Sequence, residues 1–291
     1  MKTIFYLALT LSVLMIGCKK DKEPEPPAPV TPTEVPELVF KFKFDSTQVR
    51  LDNFGNPCAV PPGHAAQSPK FNAMSAHYIE LSPSAWTAVG AGKILYHAPE
   101  TTAGGSTAID FDQGIHAAEG VVWKKIPLSS ITPGTYNYLR VSLAYQNYDI
   151  KYKYGTGTFV GTLASFVGYK TYIASYTIKT EPVTVNANKL QGYWGFETFG
   201  TVFQGEAAGT TVVNPLFATS PIPAGSCLAT GQFASPLVIT GNETSDIVIT
   251  ISLSTNKSFE WEDDDGDGLY APAAGDTVVD MGLRGLIPIV N

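Results

Sequence analysis

A run of carboxylates near the end of the chain has the residue types and spacing of a cation-binding loop. It reads Glu-Asp-Asp-Asp-Gly-Asp-Gly over residues 262–268, so that Asp263, Asp265 and Asp267 alternate and Gly268 follows. Alternate carboxylates can converge on one hard cation such as Ca²⁺, and the glycine permits a sharp turn after the third ligand. The sequence therefore predicts a calcium loop whose next oxygen ligand is the backbone carbonyl of Leu269.

The loop departs from the helix-flanked calcium motif at its closing ligand. Ala274 occupies the position at which that motif places a bidentate glutamate, so Asp276 or Asp280 has to supply the last carboxylate. No helical pattern flanks the loop, which places it within a β-domain, where its cation would be structural. The alternative is a solvated acidic hairpin tip without a bound ion.

Two of the four histidines, His77 and His97, each lie in a short segment with strand character. Neutral imidazoles suit copper or zinc, and two strands of one sheet can bring such residues together. The alternative is a pair of isolated polar or capping side chains. The chain has no HExxH, GxSxG, P-loop or CxxC motif, so we predict a protein that is not an enzyme and name no catalytic residue.

The three cysteines have two expected fates. Cys18 follows Lys2 and a short apolar stretch, which predicts a signal peptide over residues 1–17 that ends at a lipidated cysteine. Cys58 and Cys227 remain as an even pair in an oxidising compartment, which predicts a disulfide between them. The alternatives are ordinary signal cleavage that leaves a thiol at Cys18, and two free thiols at the other positions.

Residues 18–37 form a predicted linker between the lipid and the fold. Six prolines occur between Pro24 and Pro36, and such a tract is an extended spacer that buries no core. The charged start of the linker, residues 19–23, resembles the export signal of Bacteroidetes surface lipoproteins. The resemblance implies that the N-terminal lipid anchors the protein in the outer membrane with the fold at the cell surface. The periplasmic face of that membrane is the alternative.

Period-two alternation dominates residues 38–291 and predicts the elements that position these side chains. Phenylalanine and lysine alternate over residues 39–44, and isoleucine or leucine recurs at every second position over residues 247–253. Such alternation is typical of half-buried antiparallel strands. We therefore predict an all-β fold, an antiparallel β-sandwich of the immunoglobulin-like or jelly-roll type in a single domain. Further strands are predicted over residues 77–81, 94–97, 121–126, 139–145, 158–167, 171–178, 193–199, 211–213 and 237–240.

Composition limits the classes of partner. With 44% hydrophobic and 15% charged residues the chain is not disordered throughout, and a net charge of −7 predicts no nucleic-acid partner. Nine of the 14 tyrosines lie between Tyr136 and Tyr176. They favour either an aromatic platform for a glycan or protein ligand, or an aromatic-rich core with lysines on the edge strands that prevent pairing with other chains. Trp194 and Phe196 allow the same two interpretations.

The N-terminal half has the layout of a known domain. The segments that carry the likeness are Phe40-Lys41-Phe42, residues 51–55, 77–81 and 95–97, Ala108–Phe111, Ile126–Leu128 and Pro133–Val141. Over about residues 38–150 this layout resembles the methanobactin-associated copper-binding protein-like domain, a β-sandwich. The resemblance implies copper binding through histidine, for which His77 and His97 are the positions that match.

Together these features predict a cell-envelope lipoprotein with a non-enzymatic binding or scaffolding role and a structural Ca²⁺ loop. A copper-binding protein and a surface glycan-binding protein are the two alternatives.

Overall fold

A computed structural model describes residues 35–52, 56–207, 216, 218, 220–281, 283 and 285–291. Val35–Asn291 form one compact unit, which begins close to the predicted boundary at residue 38. The predicted signal peptide, Cys18 and most of the linker lie outside the described residues, as does the predicted strand over residues 211–213.

Eighteen β-strands account for most of the described residues, which confirms the predicted all-β sandwich. The strands are β1 (Glu37–Asp45), β2 (His64–Gln67), β3 (Lys70–Ser82), β4 (Lys93–His97), β5 (Glu100–Thr101), β6 (Ala108–Asp110), β7 (Val122–Pro127), β8 (Gly134–Tyr154), β9 (Gly157–Phe166), β10 (Lys170–Thr177), β11 (Pro182–Leu190), β12 (Tyr193–Thr198), β13 (Thr201–Glu206), β14 (Cys227–Ile239), β15 (Ile247–Ser254), β16 (Phe259–Glu262), β17 (Thr277–Asp280) and β18 (Leu286–Val290). Short 3-10 turns cover Leu128–Ser130 and Pro272–Ala274.

The described strands form four sheets. The largest has the order β13-β12-β9-β8-β3-β4, with β14 also paired to β8. A second has the order β18-β15-β1-β7, a third β11-β10-β6-β5, and a small one β17-β16-β2. Most pairs are antiparallel, but β1 runs parallel to β15 and β10 runs parallel to β6.

The main core lies between the largest sheet and the sheet that contains β1. The alternation in the sequence matches the side chains that are buried in this core. Phe40 and Phe42 of β1 are fully buried, whereas Lys41 and Lys43, which alternate with them, are partly exposed. On β15, Ile249 and Ile251 are likewise fully buried. Burying apolar area of this kind is the main stabilising contribution to folding, worth roughly 1.5–3 kcal/mol for each large side chain.

The 21-residue strand β8 joins the main core to two smaller ones. Its first half packs in the main core, and its second half contributes Tyr145 to one satellite cluster and Tyr148 and Ile150 to another. The ladder between β3 and β8 shifts register between Ala76 and Tyr78, so His77 is an extra residue on β3. Such a bulge re-aims side chains. It positions His77 next to β4 and β8.

A hairpin formed by β16 and β17 carries the predicted calcium loop. We call residues 263–276, which connect these two strands, the acidic loop. Gly266 and Gly268 have φ angles of 69° and 73°, in the left-handed region that glycine tolerates without strain. The loop rests against the end of β8, where the backbone N–H of Lys153 donates to the carbonyl of Tyr270 at 2.7 Å.

Candidate functional site

The acidic loop brings its three alternating carboxylates together. One carboxylate oxygen from each of Asp263, Asp265 and Asp267 lies within 4.8 Å of the others. Oδ1 of Asp263 is buried and has no hydrogen-bond partner. An anionic oxygen that has been removed from water without a partner is costly, and a hard cation bound by oxygen ligands would satisfy it.

Hydrogen bonds within the loop fix the position of these carboxylates. The N–H of Gly268 donates to Oδ2 of Asp263 at 3.0 Å, and the N–H of Leu269 donates to Oδ1 of Asp267 at 2.8 Å. The second of these hydrogen bonds closes a local turn of the kind that aspartate side chains favour. Leu269, predicted as a carbonyl ligand, thus helps to orient Asp267 through its N–H.

Asp276, predicted as a closing carboxylate, is not part of the cluster. It is buried, and its two oxygens accept the N–H groups of Asp264 at 3.2 Å and of Ala271 at 2.6 Å. A carboxylate that accepts two backbone N–H groups braces the loop from within. Asp280, the other candidate, is a buried residue of β17 that pairs across the sheet with Glu260.

A lysine already compensates part of the negative charge of the loop. The ammonium of Lys153 contacts Asp267 and lies 3.7 Å from Oδ2 of Asp265. Its hydrogen bond holds the pKa of Asp267 below the ordinary value, and the same bond raises the pKa of Lys153. A divalent cation at this cluster therefore has to compete with the ammonium group.

The two histidines predicted for copper do meet. The rings of His77 and His97 are edge to face, with centroids 6.5 Å apart. His77 is fully buried, its Nε2 lies 2.8 Å from the hydroxyl of Ser142, and its Nδ1 has no hydrogen-bond partner. Burial, together with the nearby His97, lowers the pKa of His77 to about 3, so its imidazole is neutral at pH 7.

In the part of the chain that the structure describes, no third strong ligand converges on this pair. Nε2 of His97 lies 3.9 Å from a carboxylate oxygen of Glu100, and that oxygen accepts the hydroxyl of Tyr169 at 2.6 Å. Among the described residues, the acidic cluster is the group of three His, Cys, Asp or Glu ligands whose atoms lie within 4.8 Å of one another, and neither histidine belongs to it. Copper binding here would need a ligand of another type or a rearrangement.

The predicted disulfide is absent from the structure. Cys227 is buried in the main core at the start of β14, opposite Leu143 of β8. Cys58 is only partly buried, and its thiol lies 3.7 Å from the carbonyl of the next residue, Ala59. No bond joins Cys58 to Cys227; one lies in a core strand and the other in a surface connection.

Most of the tyrosine-rich segment serves the cores. Tyr148 is fully buried, Tyr152 is nearly so, and Tyr154 at the end of β8 is 66% exposed. The ring of Tyr152 packs edge to face on Phe196, with centroids 5.4 Å apart. Phe196 and Trp194 in turn pack against a satellite core. The aromatic run is thus chiefly structural, and glycan binding through it stays a prediction.

The structure also contains two buried charge clusters that sequence reasoning missed. Glu80 of β3 and Arg140 of β8 form an ion pair in which both side chains are fully buried. In the second cluster, a carboxylate oxygen of Glu260 lies 2.5 Å from Nδ1 of His64, and its other oxygen contacts the guanidinium of Arg50. The partners are 60, 196 and 210 residues apart in sequence, so no local motif signals them.

No protein-family model, curated protein or solved structure matches the chain. The resemblance to the copper-binding domain family therefore stays a prediction. The described residues contain no helix long and apolar enough to cross a membrane.

Proposed function

We propose that the chain is a cell-envelope lipoprotein with a non-enzymatic binding or scaffolding role, whose β-sandwich carries a structural Ca²⁺ in the acidic loop. The convergence of three carboxylates within 4.8 Å carries the metal part of this proposal. The buried, unpartnered oxygen of Asp263 supports it, because a cation bound in the cluster would give that atom a partner.

The bound ion would act on stability and not on chemistry. Both ends of the acidic loop continue into strands, β16 and β17, which pair through Glu262 and Thr277. A cation that neutralises the repulsion among these carboxylates would stabilise the hairpin and its contact with β8. A role of this kind suits a β-domain outside the cytoplasm, where millimolar Ca²⁺ fills sites of modest affinity.

Calcium is expected to raise the melting temperature of the protein. At a free Ca²⁺ concentration 100 times the dissociation constant, binding to the folded state adds about 2.7 kcal/mol. For a domain of this size that corresponds to roughly 5–10 °C. The measurement is differential scanning calorimetry of the full-length protein in a neutral detergent, first with a chelator and then with Ca²⁺. The Ca²⁺ concentration is raised to about 10 mM, because extracellular calcium sites have dissociation constants of roughly 0.1–1 mM.

Variants of the loop separate a specific site from general screening of charge. Asp265→Asn removes one ligand and is expected to abolish the shift, whereas Asp112→Asn removes an exposed charge elsewhere and should leave it intact. Lys153→Gln removes the competing ammonium and is expected to tighten Ca²⁺ binding. A melting temperature that does not respond to Ca²⁺, or responds equally in Asp265→Asn, contradicts the calcium site.

Copper is the second candidate metal, because the neutral ring of His77 contacts that of His97. The same calorimetry with Cu²⁺ distinguishes the two. A shift with Cu²⁺ that is lost in His97→Gln, together with none for Ca²⁺, favours the copper-binding alternative.

Lipidation is expected to depend on Cys18 alone. Radiolabelled palmitate should label the native protein and not Cys18→Ser, because the serine hydroxyl does not replace the thiol that carries the acyl chain. Cys58→Ser is the matched control and should keep the label. Label in Cys18→Ser would show that the lipid, if any, is attached elsewhere.

A further inference from the structure

Two neighbouring hairpins of the largest sheet, β8–β9 and β12–β13, carry aromatic rings that continue from a satellite core out to the solvent. The ring of Phe196 contacts that of Tyr152, with centroids 5.4 Å apart. Tyr152 in turn contacts Phe159 at 5.9 Å, and Phe159 contacts Phe199 at 5.3 Å. Phe203 lies directly opposite Phe196 on the next strand, so its side chain is on the same face. We call this set, with the residue that ends β8, the aromatic platform; it comprises Tyr152, Tyr154, Phe159, Phe196, Phe199 and Phe203.

Two glycines of β9 make room for rings of the platform. A Cβ atom at Gly161 would lie 2.1 Å from the ring of Phe196, and one at Gly157 would lie 2.6 Å from the ring of Phe159. Each ring therefore leans over the sheet, in space that a side chain would otherwise fill. A leaning ring covers the backbone of β9, so the platform is a shallow continuous surface and not a row of separate side chains.

Phe199 occupies a position that suits neither its backbone conformation nor its side chain. Its φ is 50° and that of Gly200 is 70°, in the two-residue turn between Thr198 and Thr201. Asn-Gly is the preferred pair in such a turn, because a bulky residue at positive φ is strained. The side chain of Phe199 is also 78% exposed. Contact with a ligand would account for a phenylalanine here, and strained residues of this kind cluster at binding sites.

The area and the charge of the platform limit the class of ligand. Tyr154, Phe199 and Phe203 are 66%, 78% and 52% exposed. Since a Phe or Tyr side chain buries about 200 Å², these three rings offer roughly 400 Å². A stable protein interface buries about 800 Å² on each partner, so a second copy or a folded partner would need about twice this area. Residues 154–163 and 198–205 contain no charged residue, so an anionic lipid or polysaccharide would find no basic side chain among them.

A neutral sugar ring fits the groups that are present. The C–H groups of a pyranose carry partial positive charge and pack against the negative face of an aromatic ring. Its hydroxyls need partners at the rim. The carboxylate of Glu181 lies 4.0 Å from the place of a Cβ atom at Gly200, and within the described residues it forms no hydrogen bond or ion pair. It can therefore accept sugar hydroxyls, and it repels anions. Thr201, at the end of the same turn, is exposed and adds a hydroxyl that donates and accepts.

We propose that the aromatic platform binds a short stretch of a neutral glycan chain, whose sugar rings stack on Phe199, Phe203 and Tyr154. The rings supply the contact area, and the carboxylate of Glu181 fixes the orientation of the sugar by accepting its hydroxyls. Most of the tyrosine-rich segment keeps its structural role, because the ligand contacts come chiefly from the phenylalanines of the two hairpins. The proposal gives the binding role proposed above a site and a class of ligand, and it rests on that role.

The test uses the neutral oligosaccharides cellohexaose, laminarihexaose, maltohexaose, xylohexaose and mannohexaose, with polygalacturonate as the acidic comparison. Their binding to the full-length protein in a neutral detergent is measured by calorimetric titration at 20 mM and 300 mM salt, concentrations chosen to lie on either side of the ionic strength at which the Debye length is about 10 Å. At least one neutral hexaose is expected to bind. Its affinity should change less than about twofold with salt, because no pair of charges forms.

Variants make the result specific to the platform. Phe203→Ala is expected to weaken the bound hexaose at least about tenfold, because it removes one of the stacking rings. Trp86→Ala is the matched control: this aromatic residue is 72% exposed but lies on the loop between β3 and β4, so its loss should alter the affinity less than about twofold.

Phe199→Asn separates a role in binding from a role in folding. Asparagine tolerates positive φ and creates the preferred Asn-Gly turn, so the melting temperature should stay the same or rise. The affinity for the hexaose should nevertheless fall at least about tenfold, because the most exposed ring of the platform is gone. A lower melting temperature with unchanged affinity would mean that the ring of Phe199 serves the fold.

Several outcomes would overturn the proposal. Binding of none of the neutral hexaoses, or tighter binding of polygalacturonate, would exclude a neutral glycan. Binding of the Cys18→Ser protein to vesicles of phosphatidylcholine that is lost when Phe199→Asn is added would assign the platform to a membrane surface. Self-association of the protein that Phe203→Ala abolishes would assign it to a second copy. Since the Ca²⁺ and palmitate experiments do not involve the platform, a failure here leaves their results standing.

Discussion

Replacing Arg140 with methionine is expected to lower the free energy of unfolding by about 3–5 kcal/mol, because it leaves the carboxylate of Glu80 buried without its counter-charge. The two side chains are fully buried, and one guanidinium nitrogen lies 3.5 Å from the carboxylate. Such a loss is a large part of the stability of an ordinary domain, which totals only about 5–15 kcal/mol. Urea unfolding followed by circular dichroism measures it.

The pair also organises the connection between β3 and β4. Arg140 donates to the carbonyls of Ala85 at 2.8 Å and of Thr87, while Glu80 accepts the N–H of Gly92 at 2.6 Å. Gly92 is required for this approach, because a Cβ atom there would lie 2.3 Å from the carbonyl of Leu81. The ion pair therefore ties residues 83–92 to the largest sheet, and its loss should loosen that segment as well.

Two further variants distinguish an unpaired charge from lost packing. The double variant Glu80→Leu with Arg140→Met removes both charges, so it should be less destabilised than Arg140→Met alone. Lys125→Met removes one partner of the half-exposed pair with Glu37, so it should cost no more than about 1 kcal/mol. Equal losses in the single and double variants would show that the buried charge is not the cause.

The sequence predicted those features that repeat along the chain. Alternation identified β1 and β15 because their buried face recurs at every second residue, and it is the same pattern that fills the main core. The spacing of the aspartates predicted the cluster in the acidic loop because its ligands are adjacent in sequence. The contact between His77 and His97 was within reach of the same reasoning, since both lie in segments predicted as strands.

Features that depend on distant partners were not predictable in this way. Nothing local distinguishes Asp276, which braces the acidic loop through two backbone N–H groups, from a metal ligand. The pairing of two cysteines depends on their positions in three dimensions, and an even count carries no such information.

The second large effect is expected at Glu197 of β12, whose carboxylate holds the turn between β10 and β11. It accepts the N–H groups of Lys179 at 2.8 Å, Thr180 at 2.9 Å and Glu181 at 3.0 Å, and also the hydroxyl of Thr180 at 2.7 Å. Burial alone would raise the pKa of Glu197, but the hydrogen bonds outweigh it and lower the pKa to about 2.

The Glu197→Gln variant is expected to lose about 2–3 kcal/mol of stability at pH 7, because an amide offers one acceptor oxygen in place of two charged ones. The difference should depend on pH with a definite sign. Since the folded-state pKa lies below the ordinary value of 4.5, the stabilisation is fully present above pH 4.5 and is lost as the pH falls towards 2. Each pH unit in that range lowers the stabilisation by Glu197 by about 1.4 kcal/mol at most.

The difference in free energy of unfolding between the native protein and Glu197→Gln is measured by urea unfolding at a series of pH values from 7 down to 3. This difference should be constant above about pH 5 and should become smaller below it, because the native protein then takes up a proton on unfolding that the variant does not.

Glu206→Gln is the matched control: this residue of β13 pairs with Lys189 at 3.3 Å, but its side chain is 59% exposed. Its effect should stay below about 1 kcal/mol. If the difference in free energy of unfolding between the native protein and Glu197→Gln does not become smaller at low pH, packing of the side chain, and not its charge, holds the turn.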